Sequence, residues 1–175
     1  NTAAATRSAA QIVQVLSPNG LEKFEQGQGV SIEVRSHGLT AGTTVTRELS
    51  TNNGGSWTTL TSTLALGSDG RASFAWTAGP VTEANTVLMR VTANVPGAPR
   101  DVSDEAFLMA NNGTRYYVND AVTVGDEFAT AAGNNLNSGK QPNRPMSSLR
   151  ALLAAYDLDA GDVVTVDAGQ YVLIA

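Results

Sequence analysis

The chain has no cysteine, which excludes disulfides, thiolate nucleophiles and cysteine-ligated zinc. It has a single histidine, His37, so a two-histidine metal site is impossible. Charged residues are few, at 15%, and aromatics fewer, at 6%. No stripe of Lys or Arg interrupts a net charge of −5 and a pI near 4.7, so a phosphate backbone is not an expected partner. No apolar run approaches the roughly 20 residues needed to span a bilayer. The opening NTAAATRSAA carries no charged-then-apolar signal pattern, so any secretion signal is expected to have been removed already. Absence of cysteine fits an extracellular and a cytosolic setting equally.

Thr, Ser, Asn, Gly and Ala are abundant, and 175 residues is a length for one or two domains. Short alternating runs recur along the first hundred residues. Residues 12–16 end at the turn Ser17-Pro18-Asn19-Gly20, and 30–35 (VSIEVR) place Val30, Ile32 and Val34 on one face. Residues 44–49 and 57–60 flank Asn52-Asn53-Gly54-Gly55, a hairpin signal. Residues 71–77 (RASFAWT) put Ala72, Phe74 and Trp76 on one face, and 86–93 and 102–109 supply two further strands. About seven short strands separated by Gly/Pro turns predict an immunoglobulin-like β-sandwich over 11–112. Trp57, under the hairpin, and Trp76 are both expected in its core.

Two stretches of this region resemble known families. VLSPNGLEKFEQGQGVSIEVRS is similar to the SPNG-type opening of Ig-like domains in bacterial surface proteins, related to a yeast cell-wall-type family. It departs from that pattern at Leu21 and Val34, where a second Gly and a Trp are usual. The run Ser50-Thr51-Asn52-Asn53-Gly54-Gly55-Ser56-Trp57 resembles an Asp-box with Asn52 in the Asp position. Its mechanics are local: Ser50 and Asn52 bond turn amides, and Gly54 takes positive φ. Such boxes are structural in enzymes and non-enzymes alike.

After the polar turn Asn111-Asn112-Gly113 the pattern changes. A short strand at Tyr116 leads into an Asn/Gly/Pro-rich loop, and then Leu149, Leu152, Leu153 and Tyr156 fall on one helical face. Pro145 precedes this helix and Ser147 or Ser148 can cap it. A Gly-Asp turn follows, then strands at 163–167 and 171–174 around Ala168-Gly169. This order of parts resembles the entry cap and first rung of pectate-lyase-like right-handed parallel β-helix proteins. The resemblance implies that 113–175 is a truncated β-helix cap with one amphipathic helix, the whole chain being mainly β. It also implies an extracellular or cell-surface bacterial setting, and it puts substrate groove and catalytic side chains on later coils than this first rung.

Candidate chemistry is thin. Asp157 to Asp162 looks superficially like a calcium loop, but its Gly falls at position 5 and Ala168 stands where the bidentate Glu belongs, so a helix-to-strand turn is the better reading. Asn134, Asn135 and Asn137 with Asp126 form a candidate metal set, with calcium as the one ion their oxygens would suit; a polar loop closed by its own side chains competes with it. No other cofactor is implied. His37, in Ser36-His37-Gly38, reads as a solvated turn residue, and no G-x-S-x-G elbow supports a triad. Glu22, Glu25, Glu33 and Glu48 sit on edge or exposed positions by strand parity, which reads as a solvated face rather than a glycosidase pair. Tyr116, Tyr117 and Tyr171 are the candidate carbohydrate platforms; the first two are neighbours on a strand, so one of them must face outward.

The expected function is therefore a non-catalytic extracellular structural or assembly module, with no hydrolytic or lyase activity of its own. Self-association is expected through the C-terminal edge, Tyr171, Val172, Leu173 and Ile174, or through the N-terminal arm, residues 1–10. The alternative is the accessory N-terminal part of a polysaccharide-active β-helix enzyme, with a polysaccharide as weak partner.

Overall fold

A computed structural model describes residues 10–171. In chain order the elements are β1 (Ile12–Ser17), β2 (Lys23–Glu25), β3 (Gly29–His37), β4 (Thr44–Ser50), β5 (Thr58–Ala65), β6 (Arg71–Thr77), β7 (Leu88–Ala93), β8 (Arg100–Val102), β9 (Leu108–Ala110), β10 (Arg115–Val118), α1 (Leu149–Ala155) and β11 (Val163–Val166). The N-terminal arm, apart from Ala10, and the expected edge residues Val172, Leu173 and Ile174 lie outside the described residues. Compactness divides the chain differently from the linear order 11–112 and 113–175. One unit holds 10–20, Ser31–Trp76 and Leu88–Glu105; the other holds Leu21–Val30, Thr77–Val87 and 106–171.

The first unit is a sandwich of two sheets, with strand orders β1-β3-β6 and β5-β4-β7-β8. Period-2 alternation fills its centre. Ile32 and Val34 from β3, Val45 and Leu49 from β4, and Met89 and Val91 from β7 are all buried. Each such side chain contributes about 1.5–3 kcal/mol by leaving water. Strand β1 reaches the other sheet: the Val15 N–H donates to Asp101 Oδ2 at 2.9 Å, and the Ser103 hydroxyl, buried, donates to the Pro18 carbonyl at 3.0 Å.

The hairpin between β4 and β5 forms as its residues dictate. Gly54, at φ +82°, donates its N–H to Ser50 Oγ at 2.8 Å, and Asn52 Oδ1 accepts from the Ser56 N–H at 2.9 Å. Trp76 is buried. Trp57 departs from expectation, being half-buried with the Arg90 guanidinium 4.1 Å above its ring. The expected strand over 102–109 is two strands, β8 and β9, because Asp104 and Glu105 turn to give their N–H groups to Asn19. Arg47 takes an inward position on β4, 1% exposed, with its guanidinium 3.5 Å from the Phe74 ring centroid. Its Nε and Nη1 have no hydrogen-bond partner among the described residues, and burial lowers its pKa to about 10.

The second unit is built on two parallel pairs, β2 with β9 and β10 with β11. Strand β2 has no counterpart in the sequence reading, since LEKFE shows no alternation. Leu108, Ala110, Tyr116, Val118, Met146, Leu152 and Tyr156 form the core. Helix α1 is capped by Ser148, whose side chain accepts the Ala151 N–H at 3.2 Å. The expected four-residue apolar stripe is narrower here. Leu152 and Tyr156 are buried, but Leu149 is 40% and Leu153 53% exposed. A helix of seven residues makes about two turns, so one residue per turn reaches the core.

The long loop between β10 and α1 is organised by polar side chains from within the unit. Asn119, fully buried, donates to Asp126 Oδ2 at 2.6 Å and to the Ala131 carbonyl at 2.9 Å. Gly133 comes so close to the Asn119 carbonyl that a Cβ would overlap it, so only glycine fits. Asp167 gathers the N–H groups of Glu127, Phe128 and Ala129, at 2.9, 2.9 and 2.5 Å.

Candidate functional site

The residues singled out from the sequence have definite surroundings. Tyr116 is 1% exposed and cannot serve as a surface platform; its position on β10 points it into the core, leaving Tyr117 as the outward member of the pair. Tyr171 packs against the core cluster and donates its hydroxyl to the Asp167 carbonyl at 2.9 Å. In the loop, Asn134 Oδ1 accepts from the Leu136 N–H at 2.9 Å, Asn135 Oδ1 from the Ser147 N–H at 3.1 Å, and Asn137 donates to the Pro145 carbonyl at 2.9 Å. Asp126 Oδ2 takes the Asn119 amide, while its Oδ1 is buried without a partner among the described residues. These groups close the loop on itself. His37 is exposed at the end of β3. The Asp157 to Asp162 stretch is a turn, with the Asp162 N–H on the Asp159 carbonyl at 3.1 Å.

Two of the four glutamates read as solvated are ion-paired: Glu48, with Arg90 at 2.8 Å, and, in the second unit, Glu25. It belongs to the most elaborate polar cluster of the second unit. The Lys140 side chain is fully buried, and its ammonium pairs with the Glu25 carboxylate, donates to the Gly113 carbonyl at 2.6 Å and lies 3.5 Å from the Tyr116 ring centroid. Tyr116 donates its hydroxyl to Glu25 Oε1 at 2.9 Å. Tyr156 lies beside it, ring centroids 5.3 Å apart and planes tilted by 58°, and donates to the Ser138 carbonyl at 2.6 Å. Burial first, then the Glu25 carboxylate, push the Tyr116 hydroxyl above the ordinary phenol range, and burial does the same to Tyr156. Each donor has an acceptor and the ammonium is sealed from solvent. Such an arrangement clamps β2, β10 and the loop together; it offers no proton to an incoming molecule. Lys140 gave no signal in sequence, being one of two cations, with Arg144, in a Gly/Pro-rich loop. Glu25 gave none either, because β2 is a strand only through its pairing with β9.

Between α1 and β2, within the second unit, lies a groove of about 470 Å³. Phe24, Met146 and the Ala151, Ala154 and Ala155 side of α1 form its apolar walls. Lys23 lines it as well, 9% exposed, and burial holds its ammonium below the usual lysine pKa. Gln28 and Asn135 supply two amides, and Glu22 a carboxylate. No cluster of three or more His, Cys, Asp or Glu able to hold a metal occurs among the described residues.

No family model matches the chain. No curated protein matches it either. A solved structure of fibronectin(III)-like modules from Clostridium thermocellum CbhA shares 19% identity, covering 57% of this chain and 96% of its own, with a TM-score of 0.36. So distant a likeness carries no argument about this protein. The sandwich rests on the strand order itself. No helix among the described residues is long and apolar enough to cross a membrane.

Proposed function

We propose that this chain is a non-catalytic structural module of an extracellular or cell-surface protein, in which an Ig-like sandwich leads into the entry cap of a parallel β-helix. The observation that supports this reading is the β10–β11 ladder. Four residue pairs run parallel in unbroken register, from Arg115↔Val163 to Val118↔Val166, joined by a crossover that contains a capped helix. A parallel pair needs such a crossover, and stacking another strand on β11 would continue the same geometry.

The edge of β11 that pairs with no described strand has a definite chemistry. Val163 and Asp167 give their N–H groups to Thr114 and Val118, at 2.8 and 2.9 Å. By the period of the ladder the N–H groups of Val164 and Val166 face the other way. That edge is where another copy adds, by strand augmentation. Light scattering at micromolar concentration tests this. The wild type associates, and Val166→Pro, which deletes an outward N–H while leaving the inward ladder, is monomeric. A monomeric wild type rejects assembly. Reproducible turnover of pectin, alginate, xylan or simple esters, lost in His37→Ala or a carboxylate variant, rejects the non-catalytic reading.

A second reading, the accessory part of a polysaccharide-active β-helix enzyme, draws on Tyr117, whose ring is the outward one of its pair. Retention on immobilised polysaccharide that vanishes in Tyr117→Ala would favour it over the first.

A further inference from the structure

Lys23 is nine-tenths buried, yet its ammonium ion-pairs with no carboxylate among the described residues. The reason lies in the clamp beside it. Lys23 and Glu25 share one face of β2, and Glu25 is already occupied by Lys140 and the Tyr116 hydroxyl. Lys140 takes that carboxylate, and Lys23 pairs with no described one. Its Nζ is not among the buried atoms left without a partner, so the ammonium is the open end of an otherwise buried side chain.

The other polar groups of the groove point the same way. Gln28 Oε1 accepts the Glu25 N–H at 2.9 Å, and Asn135 Oδ1 accepts the Ser147 N–H at 3.1 Å. Each amide keeps its NH2 group, which bonds no described residue, besides the second lone pair of its oxygen. One ammonium and two amide donors therefore line a groove whose remaining walls, Phe24, Met146 and the alanines of α1, are apolar. Glu22, also on the lining, limits the net positive charge and so disfavours multiply charged anions. The volume falls in the range, roughly 300–1,000 Å³, of small-molecule sites.

We propose that this groove binds a small organic monocarboxylate, its carboxylate paired with the Lys23 ammonium and bonded by the Gln28 and Asn135 amides, its apolar body against Met146 and the alanine face of α1. This goes beyond the structural-module reading and does not depend on it.

Calorimetric titration of the full chain at neutral pH with hexanoate and with hexanamide is the test, since the two probes differ in charge but not in length. Hexanoate binds, and hexanamide binds about tenfold more weakly, the difference a charge-assisted contact makes. Lys23→Met lowers hexanoate affinity about tenfold without lowering the melting temperature, because the variant removes an unpaired charge. Ala154→Phe fills the groove without touching Lys23 and abolishes binding. Equal affinity for the two probes, undiminished binding by Ala154→Phe or by a folded Lys23→Met, or no binding by the wild type up to about 10 mM overturns the proposal. The amide probe and the Ala154→Phe variant decide it even where Lys23→Met does not fold.

Discussion

Arg47 in the sandwich and Lys140 in the second unit are both buried cations, and the two units accommodate them in opposite ways. Arg47 has an aromatic face and no anion among the described residues, which also leave Nε and Nη1 without hydrogen-bond partners. Lys140 has a carboxylate, a carbonyl and two aromatic rings. The difference follows from the head groups. A guanidinium is planar, delocalised and weakly hydrated, so it can lie on a ring and lose less on leaving water. An ammonium is a compact, strongly hydrated charge that must find an anion when sealed in. The sandwich therefore tolerates its cation, while the second unit is organised around its own.

Breaking the pair should therefore cost far more than deleting the lone cation. The largest effect is expected for Glu25→Ala, which strands the fully buried Lys140 ammonium and should cost about 3–5 kcal/mol in urea denaturation. Lys140→Met should cost less, because the Glu25 side chain it orphans is 27% exposed and can be hydrated. A smaller loss for Glu25→Ala than for Lys140→Met would break the comparison. Trp76→Ala sets the scale for an apolar deletion in the sandwich, about 3–5 kcal/mol, with Trp57→Ala clearly below it because that ring is half-buried.

Arg47→Met should have the opposite sign to Lys140→Met. It leaves no partner uncompensated, so the expected result is between neutral and about 2 kcal/mol more stable by the same denaturation. A loss above about 2 kcal/mol would mean that the Phe74 contact does more than offset desolvation.

The smallest effect concerns acid. Burial opposes ionisation of Asp167, but N–H groups from Ala129, Glu127, Phe128 and Ala168 outweigh it and hold the carboxyl at about 2, below its ordinary 3.8. A depressed carboxyl stabilises the fold above its unfolded pKa. That contribution starts to fall as pH drops below 3.8 and is gone once pH passes below about 2. Asp167→Asn should flatten the pH dependence of the melting temperature in that window; an unchanged slope would place the acid response elsewhere.

Legibility in the sequence followed the range of the interactions. Strands β3 and β6 could be read because VSIEVR and RASFAWT alternate on their own, and the β4–β5 hairpin because Asn52 to Gly55 encodes its own turn. Strand β2 could not, because three residues carrying two charges become a strand only by pairing with Leu108 to Ala110, distant in the chain. For the same reason Glu25 read as a solvated acid, and Leu149 and Leu153 read as core when the helix proved too short to bury them.

The sequence by itself determined a mainly β chain with antiparallel sandwich strands, a local hairpin, one short capped helix, and the exclusion of thiol and multi-histidine chemistry. Those properties depend on period, turn residues and composition, which act within a few positions. Only the tertiary structure decided which of Tyr116 and Tyr117 faces inward, that Lys140 takes Glu25, and that Lys23 is left in a donor-lined groove. Each of these depends on a charge or ring meeting a partner from a remote segment, and burial, which makes such meetings obligatory, exists only once the segments have packed.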